Sequence, residues 1–190
     1  RDPRPEDWEE DMRGGLRVIQ ARADALSRFM EDYARLARLP PPTRRPFSVR
    51  TSIERVLGVE RRLRVHLEES PEVTLRADPD QLEQLLINLI RNAADAALSR
   101  VGEESAEVRV QWHLTLDQLV LIVRDNGPGV GDGGNLFVPF FTTKPGGSGI
   151  GLALCRQIVE AHDGQLLLRN RKDGPGAEAL VRLPLDCGDG

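Results

Sequence analysis

Glycine is concentrated in one short part of this chain. Nine of the 18 glycines in 190 residues lie between positions 127 and 151, and an aromatic segment, 137–144, divides them into two clusters. A flexible linker would not contain such a segment. Because glycine has no Cβ, backbone N–H groups in both clusters can approach a ligand closely. The window therefore predicts a loop that folds over a phosphorylated nucleotide.

The composition narrows the classes of partner. A net charge of −4 and 39% hydrophobic residues fit a globular protein without a broad nucleic-acid-binding surface. No apolar run reaches the roughly 18 residues of a membrane span, and the charged N-terminus argues against a signal peptide. Cys155 and Cys187 form no Cys-x-x-Cys pair, which favours reduced thiols. We expect a cytoplasmic protein that contacts neither nucleic acid nor membrane.

The first part of the chain predicts one long helix over 8–39, about 48 Å in length. Apolar residues alternate there in steps of four and three, as in a heptad seam: Met12, Leu16, Ile19, Ala23, Leu26, Met30, Tyr33 and Ala37. Such a seam needs a partner helix, which would be a second copy of the chain or a hairpin partner upstream. The alternative is a helix laid across its own domain. Pro40–Pro42 ends the helix, so we expect one unit over 1–42 and a second over 43–190.

The second unit mixes helices with short strands. We expect helices over 48–58, 78–100 and 150–161, with Ser48 capping the first and a capping box, Asp78-Pro-Asp-Gln81, starting the second. Alternating and β-branched patterns predict strands at 63–68, 73–76, 107–114, 118–124, 165–169 and 177–183. Since there is no regular βαβ alternation, the order favours an α+β fold, a two-layer sandwich of one sheet covered by helices on one face.

Three polar residues lie on one side of the helix predicted over 78–100. Asn88, Asn92 and Asp95 are spaced by one turn each, within a run that is otherwise apolar. Asparagine is a mediocre helix former, so two of them in such a run call for a reason. Amide oxygens can ligate Mg²⁺ and amide N–H groups can donate to phosphates. The alternative is a solvated polar stripe.

Asp125 follows an apolar strand and precedes Gly127 and Gly129. A carboxylate in this position can accept a hydrogen bond from an exocyclic amine such as that of adenine, while the glycines let a flat base lie against the backbone. The alternative is a surface turn, for which Asp-Asn-Gly-Pro is a common sequence.

The second glycine cluster, Gly147-Ser-Gly-Ile-Gly-Leu152, leads into a helix whose N-terminus can hold a phosphate. It is not a Walker A loop, because no Gly-Lys-Ser/Thr follows. It is not a dinucleotide fingerprint either, because no strand precedes it. Lys144 could meet a phosphate when the loop closes, or could be a solvated lysine.

In this order and spacing, the motifs resemble the ATP-binding catalytic domain of sensor histidine kinases, in the superfamily shared with gyrase, the ninety-kilodalton heat-shock chaperone and MutL. Asn88-Leu-Ile-Arg-Asn92-Ala resembles the N box and Asp125-Asn-Gly-Pro-Gly129 the G1 box. Segments 137–144 and 147–152 resemble the F and G2 boxes. The resemblance covers about 47–185. The helix over 8–39 is similar to the second helix of the dimerisation and phosphoacceptor hairpin in nitrogen-regulation-type kinases.

The resemblance implies a sandwich of a mixed sheet and three helices that binds ATP and Mg²⁺. Asp125 would bind the adenine amine, Asn92 would coordinate Mg²⁺, and Asn88 would contact phosphate or the metal. Asn88 and Lys144 would serve the transfer itself. The other nucleotide-binding positions implied are Asp95, Gly127, Gly129, Gly147, Ser148, Gly149, Ile150, Gly151 and Leu152, with the glycines shaping the pocket and hinging a lid. A cognate response regulator and a homodimer through the N-terminal helix are the implied partners.

One departure from the resemblance concerns the phosphorylated histidine. In the family it lies in a His-Glu-x-x-Asn-Pro-like box, and this sequence contains no such box. His66 and His113 fall in predicted strands and His162 follows the last helix, so we expect structural or surface roles for all three. The expected function is phosphoryl transfer from ATP to a histidine on an upstream helix absent from this chain. One alternative is an ATP-hydrolysing clamp or chaperone, but those relatives have a glutamate in place of Asn88, whose amide cannot act as a base. Two others are an anti-sigma-type serine/threonine kinase and a nucleotide-binding module without catalysis.

Overall fold

The computed structural model describes residues 8–37, 39–131, 135–142, 144 and 147–185. Helices and strands alternate irregularly along this part of the chain. The helices are α1 (Trp8–Ala37), α2 (Val49–Leu57), α3 (Pro79–Val101) and α4 (Gly151–Ala161). The strands are β1 (Arg45–Ser48), β2 (Val65–Leu67), β3 (Thr74–Ala77), β4 (Val108–Leu114), β5 (Gln118–Asp125), β6 (Gln165–Asn170) and β7 (Ala177–Pro184).

Five of the strands form one mixed sheet in the order β2-β4-β5-β7-β6. Strand β2 is parallel to β4, and the remaining pairs are antiparallel. The central strand β5 is buried along most of its length and ends at Asp125, which is paired with Val108 of β4. The sheet therefore brings Asp125 to one end of its central strand, beside the segment that leads into the glycine-rich window.

Helices α2, α3 and α4 cover one face of this sheet and form the main core with it. Its largest fully buried side chains include Trp112, Ile53, Leu75, Leu85, Ile90, Leu119 and Ile158. Burying one such aliphatic side chain contributes about 1.5–3 kcal/mol. The opposite face carries a small buried cluster, Val120, Ile122 and Leu180, beside charged pairs such as Arg124–Glu178. The α+β, two-layer prediction is confirmed.

Both predicted helix caps are present, but the capping box is only half formed. The Ser48 side chain accepts from Thr51 N, and the Asp78 carboxylate accepts from Asp80 N and Gln81 N. In a capping box Gln81 would reach back to the Asp78 N–H. Instead Gln81 Nε2 donates to Pro40 O at 2.9 Å, and Asp78 N donates to His162 Nε2 at 3.1 Å. The start of α3 is thereby tied to the proline segment and to the end of α4.

The early strands differ from the sequence prediction. The strand predicted over 63–68 is reduced to β2, and the strand predicted over 73–76 is β3, displaced by one residue. These two do not pair with each other across Ser70-Pro71. Instead β3 pairs with β1, which was not predicted, in a separate two-stranded antiparallel sheet. A four-residue strand that contains Pro46 has little local strand signal, so its conformation depends on its partner.

Helix α1 confirms the long N-terminal helix, and its seam is open to solvent. Met12, Leu16, Ile19, Leu26, Met30 and Tyr33 are all exposed. The ring of Tyr33 stacks on Phe140 with centroids 6.1 Å apart. None of the helices in the described part of the chain has the length and apolar character needed to cross a membrane. Residues 1–7, 38 and Cys187 of the sequence predictions lie outside the described residues.

Candidate nucleotide-binding site

Helix α3 presents its polar residues towards the start of α4. Its apolar residues, among them Leu85, Leu86, Leu89 and Ile90, are buried in the core, while Asn88, Asn92 and Asp95 are half-buried on another side. A Cβ built on Gly151, the first residue of α4, would lie 3.9 Å from Asn92 Nδ2 and 4.0 Å from Asn88 Oδ1. The structure thus brings together the N-box asparagines and the end of the second glycine cluster.

Asn88 has a buried amide nitrogen, Nδ2, that finds no hydrogen-bond partner within the described residues. A buried donor left unpaired costs about 1–3 kcal/mol. The Asn88 side chain interacts with the Cys155 thiol, whose sulfur is only a weak acceptor, so the Asn88 amide nitrogen can take a stronger acceptor from a ligand. A phosphate oxygen is one acceptor that would satisfy it.

The Lys144 side chain contacts α3 on the side that carries Asn92 and Asp95. Its ammonium group, Nζ, donates to Asn92 Oδ1 at 3.1 Å and to Asp95 Oδ2 at 3.0 Å. Asp95 also accepts from Arg62 Nη1 at 2.6 Å, and Arg62 in turn pairs with Glu60. A cation is therefore accommodated against the amide oxygen that the sequence predicts to be a metal ligand.

The charge state of Asp95 follows from these neighbours. Burial opposes ionisation of this carboxyl, but the hydrogen bonds and positive charges of Arg62 and Lys144 outweigh it, and the pKa of Asp95 is lowered. Asp95 is thus an anion already paired with two cations. A free carboxylate would repel phosphate, so this pairing makes the cluster compatible with a polyphosphate.

Asp125 is a buried carboxylate, 6% exposed, at the end of β5. Its Oδ1 accepts from Gly127 N at 2.8 Å and from Ala177 N at 3.2 Å. Burial raises the pKa of Asp125, partly offset by these two N–H groups and by the charges of Arg171 and Lys144. Both N–H groups donate to the same oxygen, so the second carboxylate oxygen can accept from a ligand amine.

Two glycines of the first cluster, Gly127 and Gly129, are needed for close packing. A Cβ on Gly127 would lie 2.7–2.8 Å from backbone and side-chain atoms of Ala96 on α3. Gly129 has a φ of +85°, which favours glycine, and a Cβ there would collide with Asn170. The segment after Asp125 therefore lies directly against α3 on one side and the end of β6 on the other.

The second glycine cluster closes a loop over the aromatic segment. Gly149, with a φ of +68°, accepts at its carbonyl from Phe140 N at 3.0 Å, and a Cβ on it would collide with the Phe140 backbone. Gly147 N donates to Lys144 O at 3.1 Å. Thr143 and Gly146 lie outside the described residues.

Helix α4 begins directly after this loop, and its N-cap residue, Ile150, makes no side-chain capping hydrogen bond with the described residues. That the first N–H groups of α4 hold an anion stays a prediction from the sequence. The side chains of Ile150 and Leu152 instead pack into the core, so the backbone is what these two positions offer a ligand. Gly151 faces the asparagines, as described above, and Ser148 is half-buried beside it in sequence.

The three histidines and Cys155 have structural or surface positions. His162 is fully buried at the end of α4, where Nδ1 lies 2.8 Å from Ile158 O and Nε2 accepts from Asp78 N. Burial lowers the pKa of His162. His66 and His113 are exposed on β2 and β4. Cys155 is buried, and burial raises the pKa of its thiol to about 12, so it is inert.

Sequence reasoning missed the residues that support the site from behind. Arg62 holds Asp95, and Asn170 and Arg171 contact the Asp125–Val130 segment. None belongs to a motif, and each lies far along the chain from the residue it contacts. No local pattern signals such contacts, which only the folded sheet and helices create.

Comparison with protein families and relatives gives this geometry a context. Residues 77–187 match the family described as histidine kinase-, DNA gyrase B-, and HSP90-like ATPase. Sensor histidine kinase TmoS of Ectopseudomonas mendocina is 36% identical over 115 residues, covering 58% of this chain and 12% of TmoS. The signal transduction histidine-protein kinase AtoS of Escherichia coli is 29% identical over 181 residues, covering 90% and 29%. The sensory histidine kinase/phosphatase NtrB of Klebsiella oxytoca is 35% identical over 117 residues, covering 57% and 33%.

Solved structures share the fold. The catalytic domain of histidine kinase ThkA superposes with a TM-score of 0.66 at 24% identity, covering 76% of this chain and 97% of that one. Full-length ShkA in complex with AMPPNP superposes with a TM-score of 0.77 at 23% identity, covering 95% of this chain and 40% of the ShkA chain. ThkA in complex with the response regulator TrrA superposes with a TM-score of 0.74 at 20% identity, covering 98% of this chain and 53% of the matched chain.

The present chain spans a third or less of the three curated relatives, so it corresponds to one part of those proteins. The family match, by contrast, covers more than half of the chain and includes all four predicted boxes. The chain therefore belongs to the family of histidine kinase-, DNA gyrase B- and HSP90-like ATPases, and it contains an ATP-binding domain of the histidine kinase type.

Proposed function

We propose that this chain binds Mg-ATP between α3 and α4 and donates the γ-phosphoryl group to a histidine on a helix outside this sequence, as part of a two-component sensor kinase. The observation that carries the proposal is the convergence of Asn88, Asn92 and the start of α4, next to a buried carboxylate at the end of β5. The names of the curated relatives, all histidine kinases, support the same reaction.

At the base end, Asp125 would accept from the exocyclic amine of adenine. The Asp125 oxygen that accepts from neither Gly127 N nor Ala177 N supports this assignment, and the packing of Gly127 on α3 fixes the backbone beside that carboxylate. Guanine and hypoxanthine have no amine at the corresponding ring position. The proposal therefore includes a preference for adenine.

At the phosphate end, Asn92, Asn88, Lys144 and the second glycine cluster would hold the charged groups. Within the described residues no group of three His, Cys, Asp or Glu side chains could hold a metal, so a divalent ion would depend on amide oxygens and phosphates. Asn92 Oδ1 fits that role, because it already accepts from a cation. Mg²⁺, when bound, would neutralise charge on the phosphates.

Asp95 has a different place in this proposal from the direct nucleotide contact that the resemblance implies. Because Arg62 and Lys144 both pair with it, Asp95 would hold Lys144 where the ammonium can reach a phosphate. Lys144 would then serve the transfer by balancing charge. The amide of Asn88 would orient a phosphate without acting as a base, which favours transfer over hydrolysis.

The partners follow from the same reading. A response regulator would take the phosphoryl group from the histidine, as the ThkA–TrrA complex suggests by analogy. The apolar seam of α1 is exposed, and we expect it to pair with a second copy of the chain. In this proposal residues 1–42 belong to a dimerisation hairpin, and residues 43–190 form the ATP-binding domain. The acidic composition and the lack of a Cys-x-x-Cys pair in the sequence support a cytoplasmic location and no contact with nucleic acid or membrane.

The test is phosphoryl transfer in trans. The chain is mixed with Mg-ATP labelled in the γ-phosphate and with a separate helical fragment that carries the proposed acceptor histidine. We expect acid-labile, base-stable label on the fragment, and none when Asp125→Asn replaces the wild type. Rapid release of inorganic phosphate without labelling would favour an ATPase, and acid-stable label would favour a serine/threonine kinase. Nucleotide binding with neither reaction would favour a binding module.

A further inference from the structure

Asn170, the last residue of β6, makes a reciprocal pair of hydrogen bonds with the backbone of Val130. Its Oδ1 accepts from Val130 N at 2.7 Å, and its Nδ2 donates to Val130 O at 3.0 Å. One side-chain amide thus supplies both the acceptor and the donor that a neighbouring strand would offer to that residue. Val130 is held at both of its backbone polar groups by a residue 40 positions away in sequence.

The turn between β6 and β7 also lies directly behind Asp125. Arg171 Nη1 donates to Asp125 O at 3.2 Å, and Ala177 N donates to Asp125 Oδ1 at 3.2 Å. A Cβ on Gly176 would collide with the Asp125 carbonyl, so no side chain could separate the two backbones. The carboxylate that would meet the base is therefore supported by residues 170–177.

The other end of the segment is held by a second asparagine. Asn126 Oδ1 accepts from Glu107 N at 3.0 Å, and Asn126 Nδ2 donates to Ser105 O at 2.7 Å. The stretch from Asn126 to Val130 is thus fixed at its first and last residues. Gly127 and Gly129, which the sequence predicts to hinge a lid, lie inside this fixed stretch.

We propose that Asn170 is a positioning residue for base recognition: by holding the backbone of Val130, it keeps the Asp125–Gly129 segment as a rigid floor of the nucleotide site. The inference rests on the proposed binding of adenine nucleotide. It assigns a fixed shape to the backbone at Gly127 and Gly129, in place of the hinge that the resemblance implies. Asn170 would act through its two hydrogen bonds to the Val130 backbone and need not contact the nucleotide.

The expected loss of nucleotide affinity in an Asn170 variant is limited by the solvent exposure of the Asn170–Val130 hydrogen bonds. Asn170 is exposed, so water competes for both bonds and each contributes modestly. We expect Asn170→Ala to weaken ADP binding by about three- to tenfold. Because the segment carries the base contact, binding of IDP, which lacks the exocyclic amine, should change less. The ratio of ADP to IDP affinity should therefore fall, which a general loss of stability would not produce.

The experiment compares wild type, Asn170→Ala and Asn170→Asp, with Lys172→Ala as control. Lys172 is exposed in the same turn, and Asn170→Asp retains the acceptor for Val130 N but loses the donor to Val130 O. Calorimetry gives the ADP and IDP affinities, and amide hydrogen exchange of 126–130 is followed in the nucleotide-free protein. We expect faster exchange there in Asn170→Ala, an intermediate effect in Asn170→Asp and none in Lys172→Ala.

Unchanged exchange at 126–130 in Asn170→Ala would overturn the inference, as would parallel loss of ADP and IDP binding. The exchange measurement requires no nucleotide. If the wild-type chain failed to bind ADP, that result would contradict the proposed function, while the exchange data would still decide whether Asn170 fixes the segment.

Discussion

Asn92 carries the most specific assignment at the level of single residues. Its amide oxygen accepts from the Lys144 ammonium, so a metal ion bound there has to compete with that contact. We predict that Asn92→Ala removes the enhancement of ATP binding by Mg²⁺, about tenfold or more, and leaves binding in EDTA within twofold. Titrations with and without Mg²⁺ measure both values. Arg91→Ala, at the exposed neighbouring position, serves as control. Undiminished Mg²⁺ dependence in Asn92→Ala would remove this residue from the metal site.

His162 is the residue whose titration links pH to stability. Its neutral ring accepts from Asp78 N, with Arg44, Asp78 and Asp163 as the charged groups around it, and burial lowers its pKa. As pH falls below 6.5, the unfolded chain takes up this proton first, so the free energy of unfolding decreases until the lowered folded pKa is passed. Urea unfolding between pH 7 and 5 should show this slope.

A matched pair of variants separates the charge of His162 from its packing. His162→Gln retains an acceptor that does not titrate in this range, so we expect it to lose the slope. His162→Ala leaves a cavity and an unmet N–H and should cost about 2–4 kcal/mol at pH 7. A wild-type slope retained in His162→Gln would assign the pH dependence to other groups.

At the level of elements, the nucleotide site depends on how closely the first glycine cluster packs on α3. A Cβ at Gly127 would meet the Ala96 backbone, whereas a Cβ at Gly131 would meet nothing within 4 Å. We predict that Gly127→Ala costs about 1–3 kcal/mol of stability and at least tenfold in nucleotide affinity. Gly131→Ala should change neither. Urea unfolding and calorimetry test the pair, and equal behaviour of the two variants would mean that the close approach has no role.

The elements also show what local sequence could predict. Helices α1 to α4 follow from apolar periodicity, and α2 and α3 also from their caps, because those signals lie within or beside the element itself. Strand β1 was missed because its conformation comes from pairing with β3. The Gln81 side chain was assigned to a capping box but donates to Pro40 O, an acceptor brought close only by folding.

In the candidate site, too, some features could be predicted from local sequence and others depend on tertiary contacts. Asn88 and Asn92 could be placed on one helix side from spacing alone, and Asp125 at a strand end from the pattern. Their meeting with Gly151 depends on how α4 packs on α3, for which the resemblance was needed. Arg62 and Asn170 could not be predicted, since each acts through a contact distant in sequence.

At the scale of the whole molecule, the exposed seam of α1 is the feature that calls for a partner. Ile19 is 66% exposed on the seam, and Val18 is 61% exposed beside it but outside the heptad pattern. If two copies pair through the seam, Ile19→Lys should weaken self-association by at least tenfold, because it places a charge in a helix interface. Val18→Lys should have little effect. Sedimentation velocity over a concentration series measures both, and a wild-type chain that is monomeric throughout would contradict pairing through α1.

The fold holds one buried carboxylate, Asp125, at the end of β5 and two asparagines, Asn88 and Asn92, on α3, and our proposal is that one nucleotide contacts all three. Calorimetric titration of the chain with ADP and Mg²⁺ tests this arrangement most directly, with Asp125→Asn as the matched variant. We predict saturable binding by the wild type and a loss of at least a hundredfold in Asp125→Asn, since a buried amide nitrogen would face the adenine amine in place of an acceptor. Binding by Asp125→Asn with near-normal affinity would contradict the assignment of the nucleotide site.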